Sequence, residues 1–355
     1  MSLQDWQVLR SGIWAAEEIA KRYGVEISKA LNPLDPADFV TISARLAASL
    51  RFAVKGTESV ALRGALDSLD VDWPNMSQAG RLKIIAAAKD QIGALESTIP
   101  KLVSPVLGRS AVALVSRTRI AAVAQFGFSA EIRSEAPIDR ETVDNLPQNQ
   151  MVYIKDQYGR RADGLDQIAR ETVASGLERG LGRDDISAEI GNRLSYSGVL
   201  RTENYWDLIA ADFSNKARTC TQLNTFDRAG VQQFEFDAIM DQATSDICRL
   251  LHGRRFSVQK SQSKMQKSLS LTDPEQVKNS LPWVQSGTAA NGDQILYYER
   301  NGTRTIVARV ERSGIGESDR SGSYSSVLSN KALEAAGLPV PPRHGHCRST
   351  IMAVV

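Results

Sequence analysis

The first part of the chain alternates apolar helical patterns with short polar breaks. Four apolar residues near the start lie close to helical spacing: Trp6, Ile13, Ile19 and Ala20. Residues 32–36 carry two prolines, which remove backbone donors and should end that segment. Asp35 or Asp38 can cap a second helix running to about Val54, and Ser77 precedes a third over residues 78–95. With a further apolar helix over 110–124, we predict that residues 1–130 form a helical bundle or arm.

A polar stretch follows and separates this region from a second helical part. Residues 131–163 contain Pro137 and Pro147, and we predict a linker or irregular crossover there. Residues 164–181 are amphipathic and can end in a left-handed cap at Gly180 or Gly182. Helices over 186–194 and 204–229 should complete this part.

The last third of the chain changes to strand-like and turn-rich patterns. Residues 234–239 alternate as in a strand, and residues 261–286 are rich in Ser, Lys and Gln, which suggests an exposed or partly disordered segment. Asn301-Gly302 lies between two apolar runs and predicts a β-hairpin with a type I′ turn. A short helix over 331–337 and a strand over 349–355 should follow. We therefore predict an α+β protein: a mainly helical N-terminal region, then a small α+β module over 164–355 with a hairpin-containing insertion at 261–329.

Composition narrows the class of protein without identifying it. The 355 residues are 42% hydrophobic and 24% charged, which is ordinary for a globular chain. The net charge of +2 gives no overall attraction to nucleic acid. Three cysteines are too few for a disulfide scaffold and fit a reducing compartment. The N-terminus has no apolar signal core, and no uninterrupted run of apolar residues approaches the roughly 18 that span a bilayer, so we expect no membrane span and no membrane partner.

Residues able to bind a metal are concentrated in the C-terminal third. They form two groups, Cys248 with His252, and His344 with His346 and Cys347. Cys248 and His252 are four apart and would share one face of a helix, whereas His344 and His346 would point the same way in an extended segment. Sulfur and imidazole nitrogen are ligands that zinc takes. A structural zinc joining the two groups would close the long insertion at its base.

Three other interpretations of these residues stay open. Cys248 and Cys347 could form a disulfide. The cysteines could be ordinary core residues while the histidines bond to nearby backbone groups. Cys347 could also act as a nucleophile beside a histidine base, although neighbours in sequence are weak support for such a pair.

A basic run overlaps the first of these two groups. No acidic residue lies between Asp246 and Asp273. The run carries six cations: Arg249, Arg254, Arg255, Lys260, Lys264 and Lys267. Such a run can contact phosphates, so we consider DNA or capsid contact, with a solvated surface as the alternative. No aromatic residues interleave it in the way that single-strand binding requires.

The order of these motifs resembles that of a known family. The segment DQATSDICRLLHGRRF supplies Asp241, Thr244, Cys248, Gly253 and Phe256, and the segment PPRHGHCRS supplies Pro341, Pro342, His344, Cys347 and Arg348. With the two preceding helices and Arg218, this pattern resembles the phage Mu gpF-like minor head protein family over about residues 165–355. Phe236 stands where relatives often have tryptophan, and the insertion is longer than usual.

The resemblance implies a function in virus assembly. It suggests a minor head morphogenesis protein of a tailed phage or prophage, made in the host cytoplasm and then carried in the virion. Its partners would be the portal, the major capsid protein or scaffold proteins, with weak contact to packaged DNA. The resemblance also suggests that Pro341 and Pro342 direct His344 and Cys347 toward Cys248, and that Arg348 pairs with Asp241 or Asp246.

Two other functional classes compete with this one. A phage-derived effector or toxin-related enzyme, either a hydrolase or a metal-dependent nuclease, could use the Cys/His group. However, no pair of carboxylates accompanies the histidines in sequence, and we see no complete set of catalytic residues. A plain nucleic-acid-binding module is the third class, and it would depend on Arg254 and Arg255.

Overall fold

The structure is a computed structural model that describes residues 31–197, 199, 203–314 and 321–355. The helical spacing predicted around Trp6 to Ala20 lies outside these residues. Within them the chain has the α+β architecture that the sequence predicts, with long helices first and small sheets after them.

Three long helices open the described part of the chain. Helix α1 covers Pro36–Leu69, α2 covers Gln78–Gly93 and α3 covers Leu95–Phe126. The carboxylate of Asp35 accepts hydrogen bonds from the Ala37 and Asp38 backbones, and Ser77 caps α2 through the Gly80 N–H, so both predicted helix starts are confirmed. A short 3₁₀ turn, Trp73–Asn75, joins the first two helices.

The predicted linker at 131–163 is wrong for most of its length. After a 3₁₀ turn at Ala130–Arg133, helix α4 runs without interruption over Pro137–Glu178. Pro137 sits in the first turn, where a missing donor costs little, but Pro147 lies inside the helix. It is tolerated because the helix buries a long apolar stripe that includes Leu146, Ile154 and Leu165.

Two more helices complete the helical region. Helix α5 covers Arg183–Ser197 and α6 covers Glu203–Arg228. Every residue from 209 to 226 of α6 is buried, so this helix is surrounded on all sides by protein.

One stretch of the described chain is long and apolar enough to cross a membrane by length and composition alone. It is Gln78–Phe126, with a mean hydropathy of 1.2 over its most apolar 18 residues. The same test is passed by packed core helices. Ile99, Val103 and Leu107, on this stretch, are fully buried within the protein.

In its described residues, the C-terminal module, taken here from residue 233 onward, contains two small sheets and four short helices. In chain order its elements are β1 Gln233–Asp237, α7 Asp246–Leu251, β2 Arg255–Ser257, α8 Val258–Leu269, α9 Pro274–Ser280, β3 Val284–Thr288, β4 Gln294–Arg300, β5 Thr303–Arg312, β6 Ser323–Ser325, α10 Asn330–Ala336 and β7 Thr350–Val354. One sheet has the antiparallel order β2-β1-β7, with Phe236 opposite Ile351. The other has the order β3-β4-β5-β6.

The insertion is more ordered than its composition suggests. The prediction of an exposed or disordered segment at 261–286 is wrong, because α8 and α9 cover most of it and bury Met265, Leu269 and Val277. The hairpin is confirmed: Asn301 and Gly302 have φ values of 51° and 71°, as a type I′ turn requires.

The buried apolar residues form two clusters. The first core joins α1, α3, α4 and α6 to the C-terminal module and includes Leu50, Ile99, Phe213, Phe234 and Ile351. The second core lies among the end of α1, α2, the second half of α4 and α5. It consists of Ala65, Leu69, Trp73, Ile85, Ala88, Ile92, Ala162, Leu165, Ala169, Val173, Ile186, Ile190, Leu194 and Val199.

Candidate metal centre

The C-terminal module brings one cysteine from α7 against a loop that precedes β7. Cys248 lies on α7, whose first residue, Asp246, accepts hydrogen bonds from Tyr324 and Ser313. The loop over 341–349 begins with a cis Pro341–Pro342 bond and carries His344 and Cys347.

Two side chains of helix α6 donate hydrogen bonds to backbone carbonyls of this loop. Asn215 donates to the backbone carbonyls of Cys347 and Ser349, at 2.7 and 3.3 Å. Arg218 donates to the carbonyls of Arg348 and Ser349, at 3.1 and 2.6 Å. The loop therefore rests on fixed donors of a buried helix.

Three potential ligand atoms converge where α7 meets the loop. The Cys248 Sγ lies 3.2 Å from His344 Nε2 and 3.8 Å from Cys347 Sγ. All three ligand atoms lie within 4.8 Å of one another, and both cysteines are buried. The two sulfurs are too far apart for a disulfide bond, which is about 2.05 Å long.

The orientation of His344 suits a metal ligand. Its Nδ1 lies 2.6 Å from the Gly345 carbonyl oxygen. Since a carbonyl can only accept, Nδ1 carries the proton, and Nε2 faces the two sulfurs. Histidines that bind metals commonly donate their other ring N–H to a backbone carbonyl in this way.

The electrostatic environment favours a thiolate at Cys347. A hydrogen bond from Cys248 and the neighbouring His344 hold the pKa of Cys347 well below its ordinary value, despite burial. The same sulfur contact and burial raise the pKa of Cys248. Burial opposes the charged imidazole of His344, but its contacts with Cys347 and the Gly345 carbonyl outweigh that effect and raise its pKa.

The spacing of the ligand atoms fits a tetrahedral ion. Two thiolates at about 2.3 Å from one zinc lie about 3.8 Å apart in a tetrahedron, and the two sulfurs are 3.8 Å apart here. Two cysteines and one histidine leave a fourth position. A cavity of about 20 Å³ adjoins the group and is bordered by Thr244, Ser245 and His346. Its volume is close to that of one water molecule.

Two of the five predicted metal ligands lie outside this group. His252 is the residue after α7 and has non-helical backbone angles, so the four-residue spacing from Cys248 does not place both on one helical face. Its Nδ1 accepts the Ala238 N–H at 3.1 Å. His346 is exposed and has a φ of 58°, which reverses the chain between His344 and Cys347. The extended geometry expected for His344 and His346 is therefore wrong.

The other motif residues hold the module together. Arg348 pairs with Asp241 at 2.6 Å, as predicted, and Thr244 bonds to the Asp241 backbone and carboxylate. Gly253 adopts a φ of 75°, and its N–H donates to the Phe236 carbonyl. Phe256 is buried and its ring packs against that of Phe234.

The basic run is not one continuous surface. Arg249 is buried and donates to the carbonyls of Asp241 and Thr244, while Arg254 donates to the Leu328 carbonyl. The other four cations lie at the surface to different degrees. Arg255 pairs with Glu235, Lys260 pairs with Glu334, Lys264 donates to the Ala335 carbonyl, and Lys267 is exposed. Contact of this run with DNA or a capsid stays a prediction.

Two residues that position the site were not identified in the sequence. Asn215 lies in a helix whose polar positions give no sign that they are buried. Arg343 is fully buried and donates to the carbonyls of Pro282 and Gly337. In the sequence, the position of Arg343 next to His344 is the only feature that points to a role at this site.

Comparison of the chain with family models, with curated proteins and with solved structures finds no match. The resemblance to phage head proteins therefore stays a prediction based on the motif residues. The geometry of the Cys248, His344 and Cys347 group is independent of it.

Proposed function

We propose that this chain is a minor head protein of a tailed phage or prophage, and that zinc bound by Cys248, His344 and Cys347 stabilises its C-terminal module. The observation that supports a structural role is that the motif residues form hydrogen bonds and an ion pair within the protein. Arg218, Asp241, Thr244 and Arg348 all bond to other parts of the module. Arg218 ties the 341–349 loop to α6, and the Arg348–Asp241 pair ties the same loop to the turn that precedes α7.

The charges around the group support a metal bound by two thiolates. The guanidinium groups of Arg218 and Arg343 are fully buried and bond to backbone carbonyls. Their positive charges interact favourably with the thiolate of Cys347, whose pKa is lowered. The pKa of Cys248 is raised, so a bound zinc would have to displace its proton. A bound zinc would cross-link α7 and the loop through three protein ligands, and its fourth position would be left to a water molecule.

The alternative enzymatic function has one specific observation in its favour. Cys347 and His344 lie close together, and the pKa of each is shifted in the direction of a thiolate and an imidazolium. Against it, Cys347 is buried and the adjoining cavity has room for about one water molecule. The Cys347 sulfur is therefore poorly placed to attack a peptide or a nucleotide in this conformation.

Metal content is the first test of the zinc site. We expect about one zinc per chain in the purified full-length protein by plasma mass spectrometry, and none in Cys347→Ser or His344→Asn. His346→Asn is the matched control, since asparagine tolerates the left-handed backbone at that position. Equal zinc in His344→Asn and His346→Asn would refute the assignment.

Removal of the metal should destabilise the module in a pH-dependent way. A ligand at a thousand times its Kd stabilises the folded state by about 4 kcal/mol, and a strong chelator should remove that amount from the wild type. Protons compete with the metal for both sulfurs and for His344 Nε2, so the effect of the chelator should shrink as the pH falls. Thermal melts with and without chelator between pH 8 and pH 5 measure this. An identical melting temperature in both at pH 8 would contradict the site.

The assembly role needs a separate test. We expect the chain to co-purify at low copy number with heads when expressed with its neighbouring genes, as quantified by mass spectrometry of nuclease-treated, density-purified particles. Absence from heads at every assembly stage would overturn the proposed role. DNA cleavage with added divalent metal, lost in His344→Asn but not in His346→Asn, would favour the nuclease instead.

A further inference from the structure

A groove lies between α1 and α3, at the end of the helical region where the described chain begins. It encloses about 190 Å³, and Leu31, the first described residue, is one of those that line it. The other lining residues come from the two helices: Ile42, Arg45, Leu46, Ser49, Ser110, Ala113, Leu114 and Arg117. This volume is below the range of about 300–1,000 Å³ that is typical of small-molecule pockets, so side chains of a protein segment are the better occupants.

The side of α1 that borders the groove continues with exposed apolar residues. Val60 follows Ile42 by about five helical turns and therefore lies on the same side of α1. It is 74% exposed, and Phe52, beside this line, is 88% exposed. A Cβ added at Gly56 would meet no atom within 4 Å, so the space over this side is open. The open side extends for about 27 Å from Ile42 to Val60.

An apolar pattern of matching length occurs in residues 1–30, which lie outside the described part of the chain. Over residues 6–23, apolar side chains recur at alternating spacings of three and four: Trp6, Leu9, Ile13, Ala16, Ala20 and Tyr23. In a helix this spacing gives one apolar stripe. A helix over residues 6–23 would be about 26 Å long. Gly24, directly after it, is a residue that commonly ends helices.

The charges beside the groove and beside the stripe are complementary. Arg45 and Arg117 line the groove, and neither forms an ion pair with another described residue. Glu17 and Glu18 directly follow Ala16, which belongs to the stripe. Charges that flank an apolar stripe in this way help to select and orient the partner of a helix.

We propose that residues 6–23 of the same chain form a helix that lies antiparallel to α1 in this groove. The antiparallel direction follows from the connection, because residues 24–30 must join Tyr23 to Leu31, which lines the groove. The helix then runs from this end of α1 back toward Val60.

Burial of apolar side chains on both partners stabilises this arrangement. In the antiparallel direction Trp6 and Leu9 reach the part of α1 that exposes Phe52 and Val60, so all four side chains lose contact with water. A single amphipathic helix of this length is marginally stable in water, and packing of its apolar face is what stabilises it. The groove supplies such a face within the same chain.

Labelling of an added cysteine in the full-length chain tests the proposal. The three native cysteines are buried. Ser49→Cys places an exposed thiol in the groove, and Ala48→Cys places one at an exposed position outside it, as the reference. We expect a water-soluble maleimide to label Ser49→Cys about tenfold more slowly than Ala48→Cys. Equal rates would mean that the groove is uncovered and would overturn the proposal.

Two neighbouring alanines provide a matched pair of variants for the segment. Ala16→Lys puts a cation into the apolar stripe, close to Arg45 and Arg117, and should raise the labelling rate of Ser49→Cys to that of the reference. Ala15→Lys lies about 100° around the helix from the stripe position and should leave labelling slow. Slow labelling in both lysine variants would overturn the proposal.

Two further measurements separate the same-chain helix from a second copy and from misfolding. Protection of Ser49→Cys that disappears on dilution, together with a dimer mass by light scattering, would assign the segment to another copy and overturn the proposal. If Ala16→Lys does not fold, Arg117→Glu, at an exposed position, should raise the labelling rate several-fold, and Glu17→Arg added to it should restore slow labelling. An unchanged rate in Arg117→Glu would then count against the docked helix.

Discussion

The two cores of this protein differ in whether the polar side chains around them are exposed or buried. Around the second core, ion pairs such as Arg193–Glu171 and Arg183–Asp70 lie at the surface, and the packed interior is apolar. In the part of the first core that surrounds α6, charged and amide side chains are fully buried, among them Asn215, Arg218 and Gln222.

The difference shows two sources of structural specificity. In the second core the fit of shapes positions the helices, and α4 approaches α5 so closely at Gly176 that an added Cβ would lie 2.7 Å from Ile186. Where α6 meets the module, Asn215, Arg218 and Gln222 donate to carbonyls of residues 347–351 and fix the position of β7 on α6. A displaced strand would leave buried donors unpaired.

The largest effect is expected from removing the buried guanidinium. Arg218→Met should lower the free energy of unfolding by about 2–5 kcal/mol, because the carbonyls of Arg348 and Ser349 lose buried donors. Arg193→Met, at the surface of the second core, should cost at most about 1 kcal/mol. Urea unfolding of both variants measures the contrast. Equal losses of unfolding free energy in the two variants would show that the buried and the surface arginine contribute alike.

An intermediate effect is expected from filling the close approach in the second core. Gly176→Ala should destabilise the protein by about 1–3 kcal/mol, because the methyl group has no room beside Ile186. Gly191→Ala, in α5 with open space around it, should stabilise by about 0.5–1 kcal/mol through its lower chain entropy when unfolded. The melting temperatures of the two variants should therefore shift in opposite directions. A shift of the same sign in both would argue that close packing does not position the helices of the second core.

The smallest effect is expected at the half-exposed ion pair of the module. The hydrogen bond from Arg348 lowers the pKa of Asp241. The pair therefore stabilises the folded state above the ordinary pKa of an aspartate, and this contribution is lost as the pH falls through the lowered pKa. Asp241→Asn should cost about 0.2–1 kcal/mol at pH 7, after solvent screening, and this cost should shrink as the pH falls through the lowered pKa. A cost that persists in acid would mean that the asparagine disturbs the turn itself.

Local signals predicted the elements with distinctive caps and turns. Asp35, Ser77 and the Asn301-Gly302 pair each specify backbone geometry through their own side chains or their tolerance of positive φ, so neighbouring residues suffice. Pro147 and the polar residues of α8 misled the prediction, because tertiary burial of a few apolar positions overrode local preference.

The candidate site was predicted only in part for a similar reason. Cys248, His344 and Cys347 were grouped correctly from their chemistry. His252 and His346 lie outside this group, since their places depend on the end of α7 and on one left-handed residue. The buried polar face of α6 has the same spacing as a solvent-facing stripe, and only the position of β7 distinguishes the two.

The buried polar face of α6 also sets an order of events during protein synthesis. Its donors find their acceptors in residues 347–351, more than a hundred positions later in the chain. On the ribosome α6 therefore emerges long before residues 347–351, and until then its buried donors lack their acceptors. The second core contains no residue beyond Val199, so it can already form at that stage. We expect the two regions of a nascent chain to acquire protease resistance at different lengths, the helical end first and the module only after residue 351 has left the exit tunnel.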